Sequence, residues 1–150
     1  MSLAIFPQKD LEDLIQKSRT SPRKRAIHIF HSDDYPGPQV GINVIQPESY
    51  IRPHFRYDDE SIMWYSGRFG SLTFDPEGKI SGKREISKKQ PYLWLPKETF
   101  HTLISLEPDS AIWFVVQGPH SPNRFSEYLP SAPPENENYG EYFEWLKHIV

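Results

Sequence analysis

Apolar positions along the chain follow two rhythms. Leu11, Leu14 and Ile15 fall at i, i+3 and i+4, which predicts a short helix opened by Asp10 as its cap, carrying Lys17 and Arg19 near its end and stopped by Ser21-Pro22. From Ala26 to about Gln117 the pattern changes to short segments rich in Val, Ile, Phe, Tyr and Trp, broken by Gly, Pro and acidic turns. The strands expected are Ala26 to His31, Val40 to Gln46, Ser49 to Arg52, Ser61 to Ser66, Phe69 to Asp75, Ile80 to Ile86, Pro91 to Leu95, Thr102 to Leu106 and Ala111 to Gln117. Asp75-Pro76-Glu77-Gly78 and Glu107-Pro108-Asp109-Ser110 have the residues that turns demand. After Gly118-Pro119 the chain becomes rich in Pro, Ser and Asn, and Pro130 to Asn138 reads as an irregular arm. Helical spacing then returns at Tyr139, Tyr142, Phe143, Leu146 and Ile149, so a last helix should dock an aromatic stripe on the sheet. The expected fold class is all-β, a sandwich or barrel with short terminal helices: an extension over 1–25, a barrel over 26–118, and an arm with its helix over 119–150.

Composition narrows the chemistry. With 150 residues one core is expected, and with no cysteine neither a disulfide nor a thiolate metal site can form. A net charge of −3 argues against a nucleic-acid binder, and the basic knot Ser21-Pro22-Arg23-Lys24-Arg25 is expected to be a solvated turn. The first residues have too few apolar positions and no basic leader of the secretory type, and no apolar run is long enough to cross a bilayer, so a cytoplasmic protein is expected. Neither a G-x-S-x-G elbow nor a Gly-rich phosphate loop occurs.

Candidate chemistry concentrates in His54-Phe55-Arg56-Tyr57-Asp58-Asp59-Glu60, continuing to Gly67, and in Pro96 to His101. Two imidazoles and a carboxylate form a donor set that a borderline divalent ion accepts. If these segments are extended, His54 and Arg56 share a face, and an inward Glu60 brings Ile62 and Trp64 inward with it. Arg56 leaves two outcomes open: it forks onto Glu60 and takes that carboxylate away from a metal, or it points to solvent and leaves two His and one carboxylate free. Tyr50, Arg52, Trp64, Tyr65 and Trp94 suit a pocket for a sugar ring bearing phosphate or carboxylate. His28 and His31 are expected to be structural, His120 and His148 to lie on the surface, and Asp58 and Asp59 to form a turn.

The run around His54 resembles the first cupin motif, G-x5-H-x-H-x3-E-x6-G, matched at His54, Glu60 and Gly67, with Glu48 and Arg56 in place of the first Gly and second His. The second motif, G-x5-P-x-G-x2-H-x3-N, matches at Pro96 and His101, with Gln90, Glu98 and Ser105 at its other positions. Further landmarks, among them Ser21 to Arg25, Gln46 to His54, Leu95 to Leu103 and Gly118-Pro119, make the chain similar to the WbuC family of cupin-fold proteins. That resemblance implies a cupin double-stranded β-helix, metal ligands at His54, Glu60 and His101, and substrate contacts at Tyr50, Arg52, Arg56 and Trp64. It also implies a divalent transition metal (Fe, Zn, Ni or Mn), a small sugar or sugar-nucleotide ligand in surface-polysaccharide (O-antigen) metabolism, and a homodimer. Because Arg56 replaces a cupin His, two alternatives stay open: a metal-free enzyme like the sugar-nucleotide epimerases, and a non-catalytic binding or regulatory barrel.

Overall fold

The computed structural model describes residues 6–32, 34–119 and 126–150. A helix, α1 (Gln8–Thr20), leads into ten strands: β1 (Arg25–Ile29), β2 (Gln39–Ile45), β3 (His54–Arg56), β4 (Glu60–Ser66), β5 (Phe69–Phe74), β6 (Ile80–Ile86), β7 (Tyr92–Leu95), β8 (Phe100–Ser105), β9 (Ser110–Val116) and β10 (Ser126–Tyr128). A second helix, α2 (Gly140–Ile149), follows. The strands form two antiparallel sheets, ordered β1-β2-β9-β4-β7 and β10-β3-β8-β5-β6. This is an all-β sandwich with short terminal helices, as the pattern predicts, in the jelly-roll arrangement that the resemblance implies. Among the described residues no helix is long and apolar enough to cross a membrane.

Three layers of apolar contact hold the sandwich together. Between the sheets, Ile45, Ile62, Phe69, Ile86, Leu95, Leu103 and Ile112 pack as the inner core. On the outside of the first sheet Ile42, Val44 and Ala111 are covered by Leu11 and Leu14 of α1. On the outside of the second, Leu72, Phe74 and Ile104 are covered by Phe143 and Leu146 of α2. Because helices cover both outer faces, β2 and β8 are buried on both sides along most of their length.

Two expectations change at the level of local structure. The cap of α1 is Pro7, whose carbonyl accepts from the amides of Asp10 and Leu11, so Asp10 lies inside the first turn, where its charge favours the helix dipole. Ser49 to Arg52 is not a strand. Pro47 and Pro53 remove two ladder donors around it, and the segment turns back through a Ser49 amide to Gln46 carbonyl bond, while Thr102 Oγ1 holds the Ile51 carbonyl at 2.6 Å. The strand forms instead at His54–Arg56, after the second proline, which carries His54 into the sheet beside His101.

Candidate functional site: a cationic cavity in the barrel

The fold brings the three widely spaced donors to one place. His54 on β3 stands directly opposite His101 on β8 in the antiparallel register, and their ring centroids are 4.8 Å apart. Glu60 opens β4 in the facing sheet, and its Oε2 lies 3.6 Å from Nε2 of His101. The expected alternation holds here: Glu60 and Ile62 are both buried, and Trp64 packs against the inner core. Each imidazole is oriented by its backbone. Nδ1 of His54 bonds the Arg52 carbonyl at 2.9 Å, and Nδ1 of His101 bonds the Thr99 carbonyl at 2.8 Å. With Nδ1–H donated in this way, Nε2 of each ring carries the lone pair.

Electrostatics keep both rings neutral. Burial is the main cause for each; it pushes His54 down to about 3, with His101, Arg56 and Arg25 adding to it against the bond to the Arg52 carbonyl. Burial likewise lowers His101, partly opposed by the charge of Glu60. Arg56 takes the first of its two expected courses. Its Nε donates to Oε2 of Glu60 at 2.7 Å, with both side chains largely buried.

These residues line a cavity of about 350 Å³ that also involves residues not anticipated from the sequence. Arg23, Arg25, Arg52 and Arg56 face only two carboxylates, Glu60 and Glu135, so the wall carries an excess of positive charge. Its apolar side is built from the inner-core residues Ile45, Ile62, Leu103 and Ile112, together with Phe114. Glu135 belongs to the C-terminal arm and accepts from Arg25 at 2.8 Å and Arg23 at 2.9 Å. The pairing explains why the basic knot is not a free solvated turn. Asn43, inside an apolar strand, also lines the cavity. Its polarity in the run Val40 to Ile45 was the available signal.

The expected substrate contacts divide. Arg52 and Arg56 line the cavity. Tyr50 is buried against α2, stacked on Tyr139, with its hydroxyl donating to the Pro133 carbonyl, so it anchors the arm. Trp64 donates from Nε1 to the Gly67 carbonyl at 2.8 Å and fills core space instead of lining the cavity. Trp94 and Tyr92 are exposed on the outer face of β7. His28 packs between Phe6 and Phe30, and His31 accepts from the Val40 amide, both structural as expected. His148 is exposed, and His120 lies outside the described residues.

The model of a family described as a domain of unknown function, DUF6016, matches residues 6–86, more than half of the chain. The chain belongs to that family. No curated protein matches it. Among solved structures it is similar to oxalate decarboxylase from Bacillus subtilis, with 14% identity over 70% of this chain and 27% of that one, and a TM-score of 0.56. KdgF from Halomonas sp. matches with 20% identity over 69% of this chain and 87% of that one, TM-score 0.54. CapF, solved with the inhibitor 3-isopropenyl-tropolone, matches with 16% identity over 73% and 33%, TM-score 0.62. The chain spans only 27% of the Bacillus subtilis oxalate decarboxylase and 31% of the one from Lactobacillus farciminis. What these likenesses share with the chain is the fold, a cupin barrel.

A cupin barrel raises the question of a metal, and the donors can be tested for fit. The two imidazoles suit a divalent ion, being neutral, adjacent and oriented by backbone carbonyls. Glu60 does not, because the oxygen nearest His101 is engaged by a guanidinium whose charge is permanent. Two unit charges about 4 Å apart interact by about 4 kcal/mol at an effective dielectric of 20, and a dication doubles the repulsion from an arginine. Among the described residues no three His, Asp or Glu side chains are arranged to hold an ion. As arranged, the three do not fit a resident metal. What the cavity offers chemically is two neutral hydrogen-bond acceptors beside a cationic wall.

Proposed function

We propose that the chain is a small-molecule-binding cupin of WbuC type, whose barrel takes an anionic, sugar-derived ligand in surface-polysaccharide (O-antigen) metabolism. One observation carries this: four arginines against two carboxylates around a cavity of about 350 Å³ with one apolar side. A cationic, partly desolvated wall favours carboxylate or phosphate, and an apolar wall accepts the C–H face of a sugar ring. The neutral imidazoles face the body of such a ligand, and the Nε2 lone pair of each can accept a hydrogen bond from one of its hydroxyls. Thermal melting with sugar phosphates, uronates and neutral sugars tests the role. Anionic sugars should raise the melting temperature at millimolar concentration, and no response to any of them would reject the ligand class.

A second reading is favoured by the backbone bonds of both Nδ1 atoms, which is how metal-ligating histidines are commonly oriented. In it, His54, Glu60 and His101 hold a divalent first-row ion once Arg56 has released Glu60. Metal analysis of protein purified without added ions, followed by zinc titration, distinguishes the two. Uptake abolished by His101→Ala supports the ligand set, and no uptake removes it. The homodimer implied by the resemblance is supported by Tyr92 and Trp94, exposed on edge strand β7. Light scattering checks it, with Trp94→Glu expected to yield monomer.

A further inference from the structure

Most charged groups of the cavity wall are already engaged within the fold. Arg23 and Arg25 hold Glu135, and Arg56 holds Glu60. Two polar atoms stand out against that background. Nε of Arg52 and Oδ1 of Asn43 are buried with no hydrogen-bond partner among the described residues, and both side chains line the cavity. A buried polar atom left without a partner is costly relative to a bonded one.

Neither position is forced by packing. Asn43 lies on the inner side of β2, and its lateral neighbours in the ladder are Ile27 on β1 and Ile112 on β9. A leucine would suit those neighbours, so the amide is a departure from the apolar strand with no partner in the fold. Arg52 sits just before β3, with its guanidinium carbon 4.7 Å above the ring of Tyr128. Stacking on an aromatic face holds the planar fork while leaving its N–H edge available. The Arg52 carbonyl also orients His54, so the arginine and the imidazole are positioned by one stretch of backbone.

We propose that Arg52 and Asn43 form a subsite for a small hydroxylated anion, whose carboxylate or phosphate oxygen accepts from Arg52 and one of whose hydroxyls donates to Oδ1 of Asn43. This rests on the anion-binding role proposed above and adds a requirement to it: charge alone does not suffice, because Asn43 selects a hydroxyl. The hydroxylated carbons then lie against His54 and His101, the neutral acceptors of the same cavity.

Calorimetric titration of the full chain tests the subsite with four probes: D-glucuronate, D-glucose 6-phosphate, D-glucose, and cyclohexanecarboxylate, a ring acid without hydroxyls. The wild-type chain should bind at least one of the first two, cyclohexanecarboxylate more weakly, and glucose not measurably. Whichever of glucuronate and glucose 6-phosphate binds more tightly identifies carboxylate or phosphate as the anion. Arg52→Gln should weaken every anion by about tenfold or more. Asn43→Leu should weaken the hydroxylated anion by about three- to tenfold and leave cyclohexanecarboxylate unchanged. Because leucine removes a buried orphan, that variant should melt no lower than wild type, which separates lost binding from lost folding. If the wild-type chain binds glucuronate or the sugar phosphate and either variant binds it equally well, the subsite is overturned while the anion-binding role stands. If the wild-type chain binds no anion, both fail together.

Discussion

Glu98 sits at φ 60°, in the left-handed region where a side chain costs about 1–2 kcal/mol relative to glycine. Its amide donates to the Arg56 carbonyl at 2.8 Å, so the turn ties the strand carrying His101 to the strand carrying Arg56. This is the position where the second cupin motif has glycine, and the backbone here takes a conformation that glycine adopts without strain. Glu98→Gly should therefore stabilise the chain by about 1 kcal/mol, seen as a rise of about 2–4 °C in melting temperature. A fall would show that the side chain makes a compensating contact. The two cavity histidines give a prediction of opposite sign. Both are held neutral when folded, His54 down to about 3, whereas in the unfolded chain they titrate near the ordinary histidine value of 6.5. As pH falls below 6.5 the unfolded chain binds protons that the native chain refuses, so stability present above 6.5 is lost progressively towards 3. His54 alone contributes a slope of about 1.4 kcal/mol per pH unit in that window, and His101 adds in the same direction. Urea midpoints at pH 7, 6 and 5 should decline accordingly, and His54→Asn should flatten the decline.

At the scale of elements, the C-terminal arm is joined to the barrel by polar groups of unequal weight. Glu135 is shared by Arg23 and Arg25, and the Arg25 side chain is only 12% exposed. Removing the carboxylate leaves a buried guanidinium without its counter-charge, so Glu135→Ala should cost about 3 kcal/mol. Hydrogen exchange in α2 should rise with it, because the arm leads directly into that helix and Tyr50 anchors the same segment through Pro133. Asp109, which pairs with the half-exposed Arg19 and also accepts from Gln46 Nε2, presents a more solvated pair, and Arg19→Ala should cost much less than Glu135→Ala. Chemical denaturation of the two variants side by side measures the contrast. Elements with a strong period were legible in the sequence: β2, β4 and β9 carry inward residues at alternate positions, and α2 keeps its aromatic stripe. Ser49 to Arg52 was not, because its β-forming residues lie between two prolines whose missing donors outweigh propensity. The arginine knot misled for a related reason. Its partner Glu135 lies 110 residues from Arg25, and no local pattern links them.

For the molecule as a whole, motif spacing was enough to bring His54, Glu60 and His101 together, since β3, β4 and β8 are fixed by the jelly-roll path. It could not decide which ion Glu60 faces, because that depends on the direction of one side chain from a neighbouring position. Arg56 turns inward and supplies the cavity's positive charge at that carboxylate, the same electrostatic demand a divalent ion would meet. The two cations should therefore be mutually exclusive, which makes the substitution Arg56→His informative. It removes the permanent charge, releases Glu60, and adds a third imidazole on the same face of β3 as His54. Zinc titration followed by calorimetry should then show at least about a hundredfold tighter binding than the unsubstituted chain, with a melting temperature that rises with free zinc. His101→Ala placed on top of it should abolish most of that gain, since neighbouring ligands of one ion are not additive. Equal zinc affinity before and after the change would mean that the guanidinium never opposed the ion, and the electrostatic account of Arg56 would have to be given up.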